Sequence, residues 1–301
     1  MEKVVISGSN GLIGRALFER LKNDYNVVGF DINSGDGVLH GDVLNRRVRD
    51  FIDRGDMVIH TAAIPGVDNV LRNPVKCWES IVGGTKNMVE ACVDKKAGKF
   101  INFSTSEVLG NTALGATLQN GNKELTVGGA RCLYSRAKFD MEGFLVQRLK
   151  SWNIPSVTIR PFNVFGPGQK TGGAIFRLIN QCLKNESLEI RNHGTQIRSW
   201  CYIDDLVDGT IVCMNSDQCA NKAIAVGNPA NTLTTDLLAK MIKRLSESKS
   251  NINYVDWNEE DIELRIPDIS FAHKIGFIPR VDLEDGIIRT IEYYRELNNE
   301  D

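Results

Sequence analysis

The 301-residue chain contains no run of eighteen consecutive apolar residues, the length a membrane-spanning helix needs, so no span is predicted. Charge of one sign is also missing. Lys and Arg number 36 against 38 Asp and Glu, for a formal net charge of -2, which leaves no electrostatic footprint for nucleic acid or an anionic membrane. The seven cysteines are odd in number, scattered, and nowhere form C-x-x-C, so neither a disulfide framework nor a zinc site is expected, and reduced, mostly buried thiols are. The four histidines have no Cys, Asp or Glu companions at ligand spacing, and no metal is predicted. There is no internal repeat and no low-complexity tract. The chain passes from Met1-Glu2-Lys3 straight into Val4-Val5-Ile6, without the charged and apolar regions of a signal peptide, and reads as a cytoplasmic protein.

The length and the 42% hydrophobic content allow one large domain or two intimate ones with a sizeable core. Short β-branched runs at Lys3–Ser7, Asn26–Asp31, Met57–Ala62, Lys99–Thr105 and Ser156–Arg160 alternate with helical stretches. That alternation implies a parallel sheet with helices on both faces. Leu12–Lys22 aligns Ile13, Leu17 and Leu21 on one helical face, and Tyr134–Lys150 aligns Met141, Leu145 and Leu149 on another. After Pro161 come glycine-rich loops, a helix near Ala174–Lys184, a strand-like Ala223–Val226 and a helix near Thr234–Glu247. The predicted fold is α/β: a Rossmann-type doubly wound parallel sheet over residues 1–161, with a smaller mixed α/β substrate lobe over 162–301 whose chain crosses back to the sheet.

The first strand runs into Gly8-Ser9-Asn10-Gly11-Leu12-Ile13-Gly14 and then a helix, the order a dinucleotide site requires. The first glycine permits the tight turn, the second admits the pyrophosphate, and the third lets helix and strand pack closely. The second strand ends in Asp31, seventeen residues after Gly14, where a carboxylate can accept both ribose hydroxyls. No Arg or Lys follows to take a 2′-phosphate, which favours NAD over NADP. Asp42 follows where it could meet the adenine amino group.

Tyr134 and Lys138 lie four residues apart and share one helix face. For tyrosine to act as a base its pKa must fall from about 10 to near 7, about 4 kcal/mol. An ammonium about 4 Å away at an effective dielectric of about 20 supplies a Coulomb energy of about 4 kcal/mol, and the positive nicotinamide ring adds to it. On this arithmetic the pair suffices.

The chain resembles the extended short-chain dehydrogenase/reductases that modify nucleotide sugars, the NAD-dependent epimerase/dehydratase family. The resemblance covers nearly the whole chain. It rests on Gly8–Gly14, Asp31, Gly41-Asp42, His60-Thr61-Ala62-Ala63, Ser104–Gly110, Tyr134 with Lys138, the run from Arg160 to Gly168, Arg198 with Tyr202-Ile203-Asp204-Asp205-Leu206, and Arg265-Ile266-Pro267-Asp268. It implies NAD held by Gly8, Asn10, Gly11, Leu12, Ile13, Gly14, Asp31, Ile32, Asn33, Asp42, Val43, Thr61, Ala62, Ala63, Ser104, Tyr134, Lys138 and Pro161. Thr105, Tyr134 and Lys138 would form the catalytic triad, with Ser106 and Glu107 beside it. Thr105 and Tyr134 would flank the sugar 4-hydroxyl.

The run Thr105-Ser106-Glu107-Val108 is similar to that of UDP-glucuronate decarboxylases and some UDP-sugar dehydratases. There the acid matching Glu107 would remove the C5 proton or orient the sugar for decarboxylation. The resemblance implies that Asn163, Arg198 and Arg265 hold the nucleotide diphosphate and that Arg131 faces a carboxylate or phosphate. It assigns Asp204 and Asp205 to structure, as a helix cap and a lobe contact. The expected substrate is a nucleotide sugar, most plausibly UDP-linked, turned over through a 4-keto intermediate. Dehydration or decarboxylation ranks ahead of 4-epimerisation, and a non-catalytic NAD-binding regulatory module is the alternative from another class. A homodimer through helices near Pro74–Lys95 and Tyr134–Lys150 is also implied. Departures from the family pattern are Leu109 in place of tyrosine, Ile81 in place of asparagine, the Ser7-Gly8-Ser9-Asn10 opening, and the sugar-covering stretch Asn111–Gly129, which lacks the usual acidic and proline-rich sequence.

Overall fold

The computed structural model describes residues 1–64, 67–112, 114–116, 129–256 and 262–300. Strand β1 (Lys3–Ser7) leads through the glycine loop into α1 (Leu12–Leu21). Then follow β2 (Asn26–Asp31), β3 (Val38–His40), β4 (Met57–His60), α2 (Val67–Arg72), α3 (Pro74–Lys95) and β5 (Lys99–Phe103). A tight turn over Ser106–Thr112 precedes β6 (Leu114–Ala116), and α4 (Gly129–Lys150) and β7 (Ser156–Pro161) close this half. The remainder comprises β8 (Val164–Phe165), α5 (Ala174–Leu183), β9 (Leu188–Arg191), β10 (Ile197–Ser199), β11 (Cys201–Tyr202), α6 (Ile203–Asn215) and β12 (Lys222–Val226). After these come β13 (Thr232–Thr234), α7 (Thr235–Leu245), β14 (Ile252–Val255), β15 (Leu264–Pro267), α8 (Ser270–Lys274) and α9 (Leu283–Glu300).

Seven of the strands form one parallel sheet in the order β12-β7-β5-β4-β1-β2-β3. Alternation along the strands divides its two faces. Val4, Ile6, Ile59, Ile101 and Ile159 enter the core shared with α1, α5 and α6, while Val5, Val58 and Phe100 enter the core under α3 and α4. The run at Ala223–Val226, grouped by sequence with the C-terminal lobe, is the edge strand of this sheet beside β7. The chain therefore does cross back, and α6 packs on the main sheet.

A second sheet, β13-β10-β15-β6, joins strands from both halves of the chain, and in it β10 and β15 run parallel with Arg198 opposite Arg265. Asp205 ties the C-terminal lobe together: buried on α6, it accepts hydrogen bonds from the Arg280 and Val281 amides at 2.7 and 3.2 Å. The expected lobe contact is thus present. The expected helix cap is not, because Asp204 and Asp205 sit inside the first turn and Tyr202 holds the cap position. Helix α3 begins at Pro74, and the Asn73 side chain caps it by accepting from the Lys76 amide. All seven cysteines are free thiols, and all but Cys132 are buried. Among the described residues no helix is long and apolar enough to cross a membrane, and no cluster of side chains could hold a metal.

His60 fastens three elements. One ring nitrogen, Nδ1, lies 2.7 Å from the Ser7 hydroxyl at the end of β1, and Nε2 lies 3.2 Å from the Thr85 hydroxyl on α3. Burial, with the Lys138 ammonium adding to it, pushes the imidazole down to about 3 from its usual 6.5. The unfolded chain then binds a proton between those values that the folded chain refuses. The stabilisation is complete above pH 6.5 and is lost as pH falls toward 3, by at most about 1.4 kcal/mol per pH unit. Urea titrations are expected to show wild type losing more stability than His60→Asn between pH 6.5 and 4.5, and parallel losses would refute the assignment.

Candidate active site

The glycine loop makes a close-packed cradle. Gly8 has φ of +75°, its amide donates to the Phe30 carbonyl at 2.9 Å, and a Cβ there would stand 2.6 Å from the Ala62 amide nitrogen. A Cβ at Gly14 would lie only 2.0 Å from the Gly8 carbonyl oxygen, so helix α1 can meet the loop only through glycine. The Thr61 hydroxyl donates to the Ser7 carbonyl at 2.7 Å and so pins β4 to the same turn. Helix α1 has no acid in its first turn and no capping side chain. Its N-terminus therefore presents amide donors and the positive end of the helix dipole, which suits a diphosphate.

Asp31, buried at the end of β2, accepts from the Asn10 and Asn33 amides at 3.1 and 2.9 Å. Asn10 in turn donates to the Ser34 carbonyl at 2.6 Å. Ile32 is exposed beside this turn. Arg15 on α1 is bound to the Asp36 carbonyl and to Glu19. Asp42 accepts from the Leu44 amide at 2.9 Å, as a turn aspartate does, and Val43 packs against Gly84. Leu12 and Ile13 face the core behind the loop, and Ala62 and Ala63 pack beside it. The buried Ser104 hydroxyl has no hydrogen-bond partner among the described residues. A donor set of this kind fits an NAD-sized dinucleotide. Its adenosine ribose would lie on Asp31, its diphosphate on the Gly11 to Gly14 turn, and its nicotinamide end toward Ser104 and Pro161.

The candidate catalytic groups gather where β5 and α4 meet. Thr105 follows β5, and its hydroxyl accepts from the Glu107 amide at 3.2 Å. Tyr134 hydrogen-bonds Thr105, and Lys138, buried one turn further along α4, donates to the Phe103 carbonyl at 2.8 Å. Thr105, Ser106, Glu107, Tyr134 and Lys138 are thus neighbours, as the sequence predicts. The electrostatics differ from that expectation. Burial first, and then the Glu107 carboxylate, push the Tyr134 hydroxyl well above its ordinary value of 10, with the Thr105 hydrogen bond opposing. The chain by itself keeps Tyr134 protonated, in place of the lowered hydroxyl that the Tyr134–Lys138 spacing predicts. Lys138 is pushed down by burial to about 8, with Glu142 opposing.

The arginines also settle differently. Arg265 forms a two-pronged pair with Glu107, Nη1 to Oε1 at 2.5 Å and Nη2 to Oε2 at 2.8 Å, almost wholly out of solvent. Its Nε has no hydrogen-bond partner among the described residues. The Arg198 Nη1 donates to the Ile197 carbonyl beside it. Asn163, at φ of +40°, donates through its side-chain amide to the Ser199 carbonyl at 2.8 Å and fastens β10 to the end of β7. Arg131 lies in the first turn of α4, and its side chain is outside the described residues, as is most of 111–129.

Sequence reasoning missed two neighbours. Cys77 on α3 packs against Tyr134 with Val70 and Leu133, and no motif marks it. Glu142, buried and paired with Arg160, lies four residues past Lys138, a helical spacing that would have flagged it. Gly14→Ala is expected to lower stability by about 1–3 kcal/mol through overpacking and to weaken NAD binding in a fluorescence titration. Wild-type affinity would refute the cradle.

A model of the NAD dependent epimerase/dehydratase family matches residues 4–227. UDP-glucuronic acid decarboxylase 1 of Xenopus tropicalis is 27% identical over 314 residues, covering 98% of this chain and 72% of that protein. UDP-N-acetyl-alpha-D-glucosaminuronate decarboxylase of Bacillus cytotoxicus is 28% identical and covers 99% of both chains. Among solved structures, UDP-glucuronic acid 4-epimerase of Bacillus cereus, in complex with UDP-glucuronic acid and NAD, is 27% identical. It superposes with a TM-score of 0.86 over 98% of this chain and 99% of that one.

Proposed function

Because the chain belongs to the NAD dependent epimerase/dehydratase family, we propose that it decarboxylates a UDP-linked hexuronate through a transient ketone at C4 of the sugar. The observation that carries this reading is the Glu107–Arg265 pair set beside Thr105 and Tyr134. NAD in the glycine cradle supplies a hydride acceptor and a positive charge that opposes the burial raising Tyr134. Tyr134 takes the proton of the C4 hydroxyl, and the Thr105 hydroxyl holds that oxygen in line. Lys138 sets a cation beneath the phenol that forms the base.

With a ketone at C4, the C5 carboxylate is that of a β-keto acid. The electrons of the breaking carbon–carbon bond pass into the carbonyl, carbon dioxide leaves, and C5 takes a proton; the C4 ketone then returns to a hydroxyl by taking back the hydride given to NAD and the proton held by Tyr134. A lone Glu107 would repel the sugar carboxylate. Paired with the Arg265 fork its charge is balanced, and the Arg265 Nε–H remains to receive an anionic oxygen. Glu107 then orients the sugar across C5. Arg198, in register with Arg265 on the neighbouring strand, fits the diphosphate.

A second reading, 4-epimerisation of the same UDP-uronate, is favoured by the likeness to the epimerase complex with UDP-glucuronic acid, since the Thr105–Tyr134–Lys138 group serves both. Mass spectrometry of UDP-glucuronate incubated with protein and NAD in deuterated water separates the two. Loss of carbon dioxide with one solvent deuterium at C5 is the expected result. A product of unchanged mass would overturn decarboxylation and leave the epimerase. Tyr134→Phe is expected to lower turnover by about 10²–10⁴, and full activity would refute the role given to Tyr134.

The reading includes a cytoplasmic homodimer. Free thiols fit a reducing compartment. The helices α3 and α4 pack together and leave Val75 exposed and Trp78, Val82 and Phe144 half-buried on their outer side, an apolar strip suited to a two-fold contact. Light scattering at micromolar concentration is expected to give the mass of two chains, and the mass of one would remove the dimer.

A further inference from the structure

Helix α4 carries Tyr134, Lys138 and Glu142 at four-residue intervals, so the three side chains stand in one row. Lys138 is 5% exposed and Glu142 and Arg160 are each 7% exposed. A buried ammonium needs an opposite charge, and a buried carboxylate needs one as well. The groups around Lys138 meet the first need only in part. The Phe103 carbonyl at 2.8 Å takes one of its three N–H donors but carries no charge. The His60 ring, which lies within electrostatic reach from β4, is kept neutral by burial, and Tyr134 is kept protonated.

Glu142 is the carboxylate that acts on Lys138. It is held in turn by Arg160 at the end of β7, Nε to Oε1 at 3.0 Å and Nη2 to Oε2 at 2.5 Å. Strands β5 and β7 are neighbours with Phe103 opposite Ile159, and the Ser104 amide donates to the Ile159 carbonyl at 2.8 Å. The acceptor of Lys138 and the clamp of Glu142 therefore belong to one rigid sheet edge.

We propose that Glu142, clamped by Arg160, is a positioning residue whose fixed negative charge, one helical turn from Lys138, keeps that ammonium charged in the row it shares with Tyr134. The Arg160 fork fixes both carboxylate oxygens, so Glu142 cannot swing to bind Lys138 directly and remains a fixed negative charge one turn away. Burial alone would discharge Lys138. Removing the negative charge lets the lysine lose its proton at a lower pH, and a neutral amine gives the phenol no cation. A merely structural pair would join α4 to β7 and leave the titration of Lys138 where it is.

The proposal rests on the catalytic reading for its consequence, and its test is chosen to be independent of that reading. Protein labelled with carbon-13 at the lysine Cε, with the Lys138 signal assigned from Lys138→Arg, is titrated from pH 6 to 11. Wild type is expected to titrate near 8, and Glu142→Gln lower by about one pH unit or more. The single variant leaves the Arg160 guanidinium buried without its partner, which threatens the fold. Glu142→Leu with Arg160→Met replaces the pair by apolar groups of similar volume and is expected to fold and to show a downward shift, smaller than in Glu142→Gln because the Arg160 cation is gone as well.

The high-pH limb of kcat on UDP-glucuronate is expected to move down with the titration, with KM unchanged. Glu142→Gln should then fall about tenfold at pH 8 and much less at pH 6.5, and the double variant by a smaller factor at pH 8. A Lys138 midpoint unmoved in either folded variant overturns this inference. A wild type without turnover overturns the substrate reading and leaves the titration to decide this one.

Discussion

A lysine buried at the junction of a helix and a strand has to be answered by the surrounding chain, and the residues around Tyr134 are arranged around that answer. Lys138 reaches the carbonyl of Phe103 at the end of β5, which fixes the height of α4 against the sheet. That bond decides where Tyr134, one turn earlier, meets Thr105, and where Glu142, one turn later, meets Arg160. Shifting α4 by a single residue would turn all three side chains away from the strand ends at once, because they share one helical row.

At the other end of the same sheet edge the controlling constraint is steric. The Gly8 carbonyl occupies the space a side chain at position 14 would need, and β1, α1 and β4 converge there closely enough that Thr61 bonds the turn itself. The two ends are joined by parallel strands whose registers leave little freedom. A dinucleotide laid across the C-terminal edge would run from Asp31 at one end to Ser104 and Tyr134 at the other, along the strand ends where open parallel sheets place their ligands.

Charge in the sugar half is balanced in pairs. Glu107 with Arg265 and Glu142 with Arg160 are both two-pronged and nearly dry, and each joins an element of the main sheet or its helices to another part of the chain. Tyr134 lies between these pairs with its proton held tightly. Its activation as a base thus depends on a positive charge brought to it, and an enzyme so built would be inert toward a sugar until the cofactor is in place.

The sequence by itself determined the parallel sheet, the glycine turn, the Asp31 strand end and the row of Tyr134 and Lys138, because each is written in local spacing that survives whatever packs against it. It placed Ala223–Val226 as a strand but not in which sheet, since strand order depends on where α6 returns the chain. It named Glu107 and Arg265 and gave them separate tasks, although they lie 158 residues apart and form one pair. Only tertiary structure decided that pairing, the Glu142–Arg160 clamp and the direction of the Tyr134 shift. The reason is the same each time: burial and the distance between charges set these interactions, and neither is a property of a short stretch of chain.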